Sequence, residues 1–296
     1  MDSITMKKKI FTSLVLLFLI GFGVILFCFP KGKTDCDGNK LLFIDFQNVE
    51  AGILNYRTTK RIGNNAEILC GKKDFIFYML GLSFHPFFIE AEDDNKFLSL
   101  YIPKNYLNLP GAQWKMPLCE VVDECWLSYK VKFDDNFDFV KGGKLPGMAG
   151  GTANTGGKIP DGSDGWSARM MFWNEGRISF YMYTPEQKTE YGECLYWKHA
   201  NGDMVKCIPG EWHSIVHHIK LNSRDMNDGI LEGFFDGERV YADSTRVYRF
   251  VDELKIDQLL FSVFRGGDDA TWMSDKEGWV FFDDFCVSKN GNDVGC

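Results

Sequence analysis

The chain has 296 residues with a formal charge of −8, and 45% of it is hydrophobic, including a 15% aromatic share. Such an apolar fraction can bury a substantial core, which excludes a disordered chain, and the acidic balance excludes a general nucleic-acid binder, whose surface would be basic. An acidic ligand is not excluded, because charges more than a Debye length apart are screened and a local cationic cleft can overrule the total.

Residues 1–9 form a basic segment with Lys7, Lys8 and Lys9, and the uncharged run from Ile10 to Phe29 follows. That run is long enough to cross a bilayer as a helix, and the lysine triplet favours an inside N-terminus. A cleavable signal would have a shorter apolar core and a small-residue exit, neither of which is present. The expectation is an N-terminal transmembrane signal-anchor helix over 10–29, with a cleaved signal peptide as the alternative. The protein is then a single-pass membrane protein with an exterior C-terminal domain, or a secreted one. Residues 30–40 are a linker and 41–296 a single domain, expected to be monomeric.

Eight cysteines lie beyond the anchor, and an even number after an export-like segment fits a disulfide-bearing exterior domain. Cys119 with Cys125, and Cys194 with Cys207, are close enough in sequence to close local loops and are the disulfide candidates. Neither pair has the spacing of a structural zinc site, so neither a metal nor another cofactor is expected.

From Leu41 onward, short apolar or alternating runs are separated by Gly, Asn, Asp and Pro. They include LLFIDF, KFLSLYI, CWLSYKVKF, HSIVHHIKL, QLLFSVF and GWVFFDDFCV, the punctuation of an all-β protein. Asp236-Gly237 between GILEGFF and ERVYA marks a hairpin. Adjacent Asp283 and Asp284 would point to opposite faces of a strand and share no site.

Two segments concentrate chemistry. KGGKLPGMAGG (141–151) follows a strand-like run and sets two lysines among five glycines, as though the main chain must come close to something. In WSARMMFWNEGRISFYMYT (166–184), two alternating runs flank Asn174-Glu175-Gly176, a three-residue hairpin loop with Gly176 in the left-handed position. If Trp173 pairs with Arg177, then Met171 faces Ser179, Arg169 faces Tyr181 and Ser167 faces Tyr183. Period-two alternation puts Ser167, Arg169, Tyr181 and Tyr183 on one face, and Ala168, Met170, Phe172, Ile178, Phe180 and Met182 on the other, in a core. By composition alone, the polar face would equally suit an ordinary solvated cross-strand pairing.

KGGKLPGMAGG, WSARMMFW and YMY together resemble the core pattern of polysaccharide lyase family 14, which takes in gastropod alginate lyases and a cell-wall-degrading lyase of chlorella viruses. The likeness runs from KFLSLYIP through LSYKVKFDDNFDFVKGGKLPG and GEWHSIVHHIKLN to GWVFFDDFCVS, most of residues 96 to 288. It implies a single β-jelly-roll domain with a groove on its concave sheet, binding an acidic polysaccharide. It carries an essential lysine onto Lys144, and a serine, an arginine and paired tyrosines onto Ser167, Arg169, Tyr181 and Tyr183.

The implied reaction is β-elimination on a uronic acid polymer of alginate or glucuronan type. A fixed cation at the sugar carboxylate, from Arg169 or Lys144, stabilises the enolate-like charge that develops as the C5 proton leaves. A phenol next to Arg169 would have its pKa lowered from about 10 and could serve as base, with Tyr181 and Tyr183 sharing the base and acid roles. Ser167 would orient substrate, and Gly143 and Gly147 would let the sugar chain approach the main chain. Lys141 would be solvated surface charge. His213, beside Trp212, and Arg265, before Gly266-Gly267, are further candidates for the groove wall. The competing readings are a non-catalytic carbohydrate-binding jelly roll and a glycoside hydrolase. The latter needs two carboxylates across the sugar, and no such acidic pair accompanies the glycine-rich segment.

Overall fold

The structure is a computed structural model that describes residues 36–47, 52–53, 67–68, 87–92, 95–105, 112–267 and 269–295. The apolar segment 10–29 lies outside these residues, and among them no helix is long and apolar enough to cross a membrane. The alternating runs form strands, with side chains pointing to each face in turn. In chain order these are β1 (Lys40–Ile44), β2 (Gly52–Ile53), β3 (Glu67–Ile68), β4 (Phe87–Glu92), β5 (Asn95–Ile102) and β6 (Ala112–Val122). There follow β7 (Glu124–Phe133), β8 (Gly142–Gly151), β9 (Gly165–Trp173), β10 (Ile178–Tyr183) and β11 (Glu193–Tyr196). The last five are β12 (His213–Lys220), β13 (Gly229–Phe235), β14 (Glu238–Arg246), β15 (Ile256–Arg265) and β16 (Gly278–Ser288).

Among the described residues these strands make two antiparallel sheets packed as a sandwich. One has the order β14-β13-β12-β7-β16-β5-β4-β2, with β1 also on β16, and the other the order β11-β10-β9-β8-β15-β6-β3. Aromatic side chains fill the space between them. Phe133 of the first sheet meets Phe172 of the second edge-on at 5.3 Å, and Phe180 meets His217 at 4.9 Å, an arrangement that adds to the burial of the rings. The β9–β10 hairpin has the register read from its sequence, with Arg169 opposite Tyr181 and Ser167 opposite Tyr183. Its six inward residues are all fully buried. Asp236 and Gly237 both take positive φ, 49° and 84°, in the two-residue turn joining β13 to β14, as a type I′ hairpin requires.

The glycine-rich segment departs from expectation. It is itself a strand, β8, at the centre of its sheet between β15 and β9. Its glycines make room for protein, not for a ligand. A Cβ at Gly143 would lie 2.2 Å from the Phe264 carbonyl oxygen and 2.3 Å from the Phe172 ring, and one at Gly147 would lie 2.0 Å from the Ala168 oxygen. Pro146, which cannot donate to a ladder, sits where the β8–β9 register shifts between Leu145 and Met148, the place a central strand tolerates it. The shift also resets the alternation, so that Leu145 and Met148 both enter the core while Lys144 faces the other way.

Neither cysteine pair forms a bridge. Cys119 is joined to Cys36, 83 residues away, and Cys125, Cys194 and Cys207 are free thiols. Cys119 lies on β6 and Cys125 on β7, strands of different sheets, so their nearness in sequence is undone by the crossing at Asp123. Cys207 is buried under the 174–176 turn, where its N–H bonds the Gly176 carbonyl. Cys194 stands on the edge strand β11. Cys286 is disulfide-bonded as well.

Candidate active site

The outer face of the β8–β9–β10–β11 sheet carries a cleft of about 630 Å³. The strands β8, β9, β10 and β11 deliver Lys144, Arg169 with Met171, Tyr181 with Tyr183, and Cys194 to its floor. Thr155 and Gly156 wall one side with Tyr191 and Gly192, while Gly266, Gly267 and Trp272 contribute to the other. Side chains on one face of antiparallel neighbours stand about 5 Å apart, which is why residues 144 to 194 in sequence converge here.

Lys144 is the buried centre of this group, 7% exposed. Its Nζ donates to the Met171 sulfur at 3.3 Å and lies 4.4 Å from the centre of the Tyr181 ring. A thioether is a weak acceptor and carries no charge, so nothing in this contact compensates for lost hydration. Burial, with the nearby Arg169 charge second, brings the amine down to about 7.

Arg169 is buried but still lines the cleft. One Nη donates to Ser262 Oγ at 3.0 Å, and its Nε has no acceptor among the described residues. Burial lowers it to about 10, partly opposed by the phenols of Tyr181 and Tyr183, so it stays a cation at neutral pH. The guanidinium carbon lies 5.5 Å from the Tyr181 ring centre.

The tyrosines are held by main-chain donors. The Gly192 N–H donates to the Tyr181 hydroxyl and the Gly157 N–H to that of Tyr183, each at 3.2 Å. The two rings meet edge-on at 5.6 Å. Burial pushes the Tyr181 phenol well above the ordinary range, helped by its hydrogen bond to Tyr183, and the opposing pull of Arg169 is too small to reverse this. The expectation that Arg169 would hold this phenol as phenolate is therefore corrected. Desolvation of the ring outweighs the neighbouring cation, and the Tyr181 phenol keeps its proton at neutral pH.

Other candidates fall outside the cleft. The Ser167 hydroxyl is buried and donates to the Asn154 carbonyl at 2.6 Å, fixing the loop beyond β8. Gly143 and Gly147 are occupied by the strand contacts described above. His213 belongs to the opposite sheet, where it accepts from the Ile208 N–H and pairs with Asp236 at 2.8 Å. Arg265 points away, donating to the carbonyls of Asp138 and Lys276 and lying over Phe137. Adjacent strand residues face opposite ways, so Phe264 reaches the cleft and Arg265 does not. Asp283 and Asp284 lie on the opposite sheet, bonded to Asn95 at 2.9 Å and Lys130 at 2.7 Å.

Met171, Ser262, Gly192 and Trp272 were not anticipated. Met171 was within reach, since it shares the outer face of β9 with Arg169 by simple alternation. Ser262 and Trp272 come from a strand and a turn about a hundred residues away, and no local pattern announces them. Among the described residues no group of three or more His, Cys, Asp or Glu could hold a metal ion.

The sequence pattern of the family described as Polysaccharide lyase 14 matches residues 101–285. No curated protein matches the sequence. Among solved structures, the alginate lyase Aly36B superposes with a TM-score of 0.70 at 23% identity, over 84% of this chain and 96% of that one. It has also been solved as a doubly substituted variant in complex with an alginate trisaccharide. The marine family 14 alginate lyase of Aplysia kurodai gives 0.60 at 21% identity, over 76% and 98%. The alginate lyase vAL-1 of a Chlorella virus gives 0.62 at 18%, over 82% and 99%. These likenesses establish a shared sandwich fold.

Proposed function

Because the chain belongs to the polysaccharide lyase 14 family, we propose that it cleaves a uronic acid polymer of the alginate or glucuronan type by β-elimination, leaving unsaturated oligosaccharides. The observation that carries this reading is the convergence of Lys144, Arg169 and Tyr181 in one cleft within the matched span. The three differ in charge at neutral pH, and elimination needs all three states.

Arg169, still a cation, neutralises the carboxylate at C5 and makes the adjacent proton more acidic. Lys144, near half deprotonated at pH 7, offers a lone pair and takes the C5 proton. The C5–H electrons form the C4=C5 double bond, the C4–O bond breaks, and the Tyr181 phenol gives its proton to the departing oxygen. A base whose pKa lies near the working pH suits general base catalysis, and fixed charge in an enclosed site acts most strongly on the transition state. Proton return from the Lys144 ammonium to the tyrosine restores the starting state. A carbohydrate-binding protein without catalysis would gain nothing from burying an amine until it loses its charge.

Incubating the protein with alginate and glucuronan and following ultraviolet absorbance tests this reading. Absorbing, unsaturated ends support elimination. New reducing ends without absorbance would mean hydrolysis, and an intact polymer would leave a binding protein. We infer further that residues 10–29 direct the chain to or through a membrane, with the domain outside as a monomer; the Cys36–Cys119 bridge fits an oxidising exterior.

A further inference from the structure

Taking the polyuronate-lyase reading as its basis, we propose that Trp272 forms a second sugar subsite, stacking its indole on a uronate unit next to the one at Arg169, and that Lys141 positions it. Trp272 closes a single turn, Ala270–Trp272, after β15. That turn is built to hold the ring in place. Asp269 caps it, accepting from the Thr271 N–H at 2.7 Å and from the Thr271 hydroxyl. A Cβ at Gly267 would lie 2.3 Å from the indole, so the ring rests directly on the main chain there. Lys141 donates to Thr271 Oγ1, and its Nζ is 5.8 Å from the indole centre.

Trp272 is nevertheless only half-buried and lines the cleft. Its centre is 6.3 Å from that of Trp173, at 52°, and Trp173 is itself pinned by its indole N–H to Ser179 Oγ at 2.9 Å. Two fixed indoles thus form an aromatic corner at one wall of the cleft. Trp173 is four residues along β9 from Arg169, roughly 13 Å at the strand rise. A sugar whose carboxylate sits on Arg169 cannot reach that corner, so the corner meets a neighbouring unit. An indole offers a flat apolar surface to the C–H face of a pyranose, and its geometry is fixed before binding, which limits the entropy lost. Lys141 lies outside the cleft lining and next to the Asp269 carboxylate, which offsets its charge. It acts through Thr271 and the ring, as a positioning residue.

The test compares kcat/KM on polymer and on the shortest uronate oligomer cleaved, for Trp272→Ala, Trp272→Phe and Lys141→Met in the full chain. Calorimetric binding of oligouronates of increasing length to a Lys144→Met protein accompanies it. The expected result is a loss of about tenfold for Trp272→Ala on long chains, the scale of one aromatic contact, with a smaller loss on the shortest oligomer. Trp272→Phe should recover part of it, and Lys141→Met should raise KM with kcat retained. Equal losses at every chain length, or none, with the parent protein active, would overturn the subsite alone. A parent protein that neither binds nor cleaves any uronan would overturn the lyase reading and the subsite with it.

Discussion

Replacing Met171 with glutamate tests whether Lys144 works as a neutral base. The Lys144 amine sits at about 7 because burial removes its water and the Met171 sulfur, 3.3 Å away, returns no charge. A carboxylate placed at that distance would attract the ammonium by about 5 kcal/mol at an effective dielectric of about 20. Burying the new carboxylate opposes this, so a shift of about 1–3 units is the expected scale for an opposite charge in contact. The acidic limb of the kcat/KM profile should then move from near 7 into the range of about 8–10, since the base must lose its proton to act. Activity at pH 7 should fall roughly 5- to 500-fold and return as the pH rises through that window. The alkaline side remains open because Tyr181 is pushed above its ordinary range. Ultraviolet progress curves at half-unit intervals from pH 5 to pH 11 measure this, with circular dichroism confirming the fold. A profile that drops in height at every pH, with its limb unmoved, would refute the assignment of Lys144 as the titrating base.

Tyr181→Phe keeps the ring and removes the donor, and kcat should fall by about 10²–10⁴, the usual contribution of a positioned acid, while oligouronate affinity measured by calorimetry changes little. Lys144→Met should abolish product formation and stabilise the fold. The unfolded lysine binds a proton up to about 10.5, whereas the folded one releases it near 7, so stability should climb with pH between those values in the parent and lose that slope in the variant, by urea unfolding. His217 is enclosed by Phe180 and Trp197, with no hydrogen-bond partner for either ring nitrogen among the described residues, and burial brings it down to about 3. Its contribution is intact above about 6.5 and is lost as pH falls toward 3, at about 1.4 kcal/mol per unit; His217→Leu should flatten this part of the acid unfolding curve. Opening the Cys36–Cys119 bridge with paired serines, across 83 residues of chain, should cost about 4.5 kcal/mol by the chain-entropy relation, read as a lower urea midpoint.

Local periodicity told most where a feature is confined to one hairpin. The β9–β10 register followed from a single turn, because three loop residues fix every pair above them, and the two-residue turn at Asp236-Gly237 was legible for the same reason. Features that depend on distant strands were not. Nothing local to KGGKLPGMAGG reveals that Phe264, Phe172 and Ala168 press on its glycines, so the glycines of a central strand looked like room for a ligand. His213 and Arg265 are groove-wall candidates by type, but their strand and face are set by which sheet each strand joins. Disulfide pairing failed similarly, since the chain passes from one sheet to the other between Cys119 and Cys125. The proton state of Tyr181 required the depth of the cleft, a property of the assembled walls and not of Arg169 alone.

The packing of β8 divides the protein into parts with different capacity for change. Lys144 rides on a strand where a methyl group added at Gly143, Gly147 or Gly150 would run into a carbonyl oxygen at 2.0–2.2 Å, so random mutation there chiefly yields proteins that fail to fold. The cleft walls come instead from the 152–164, 184–192 and 266–273 connections, whose residues are in many places exposed. A library meant to alter which uronate is accepted would keep 142–151 constant and diversify those three connections, since preference for one sugar over another can drift there while the strand that carries the amine stays the same.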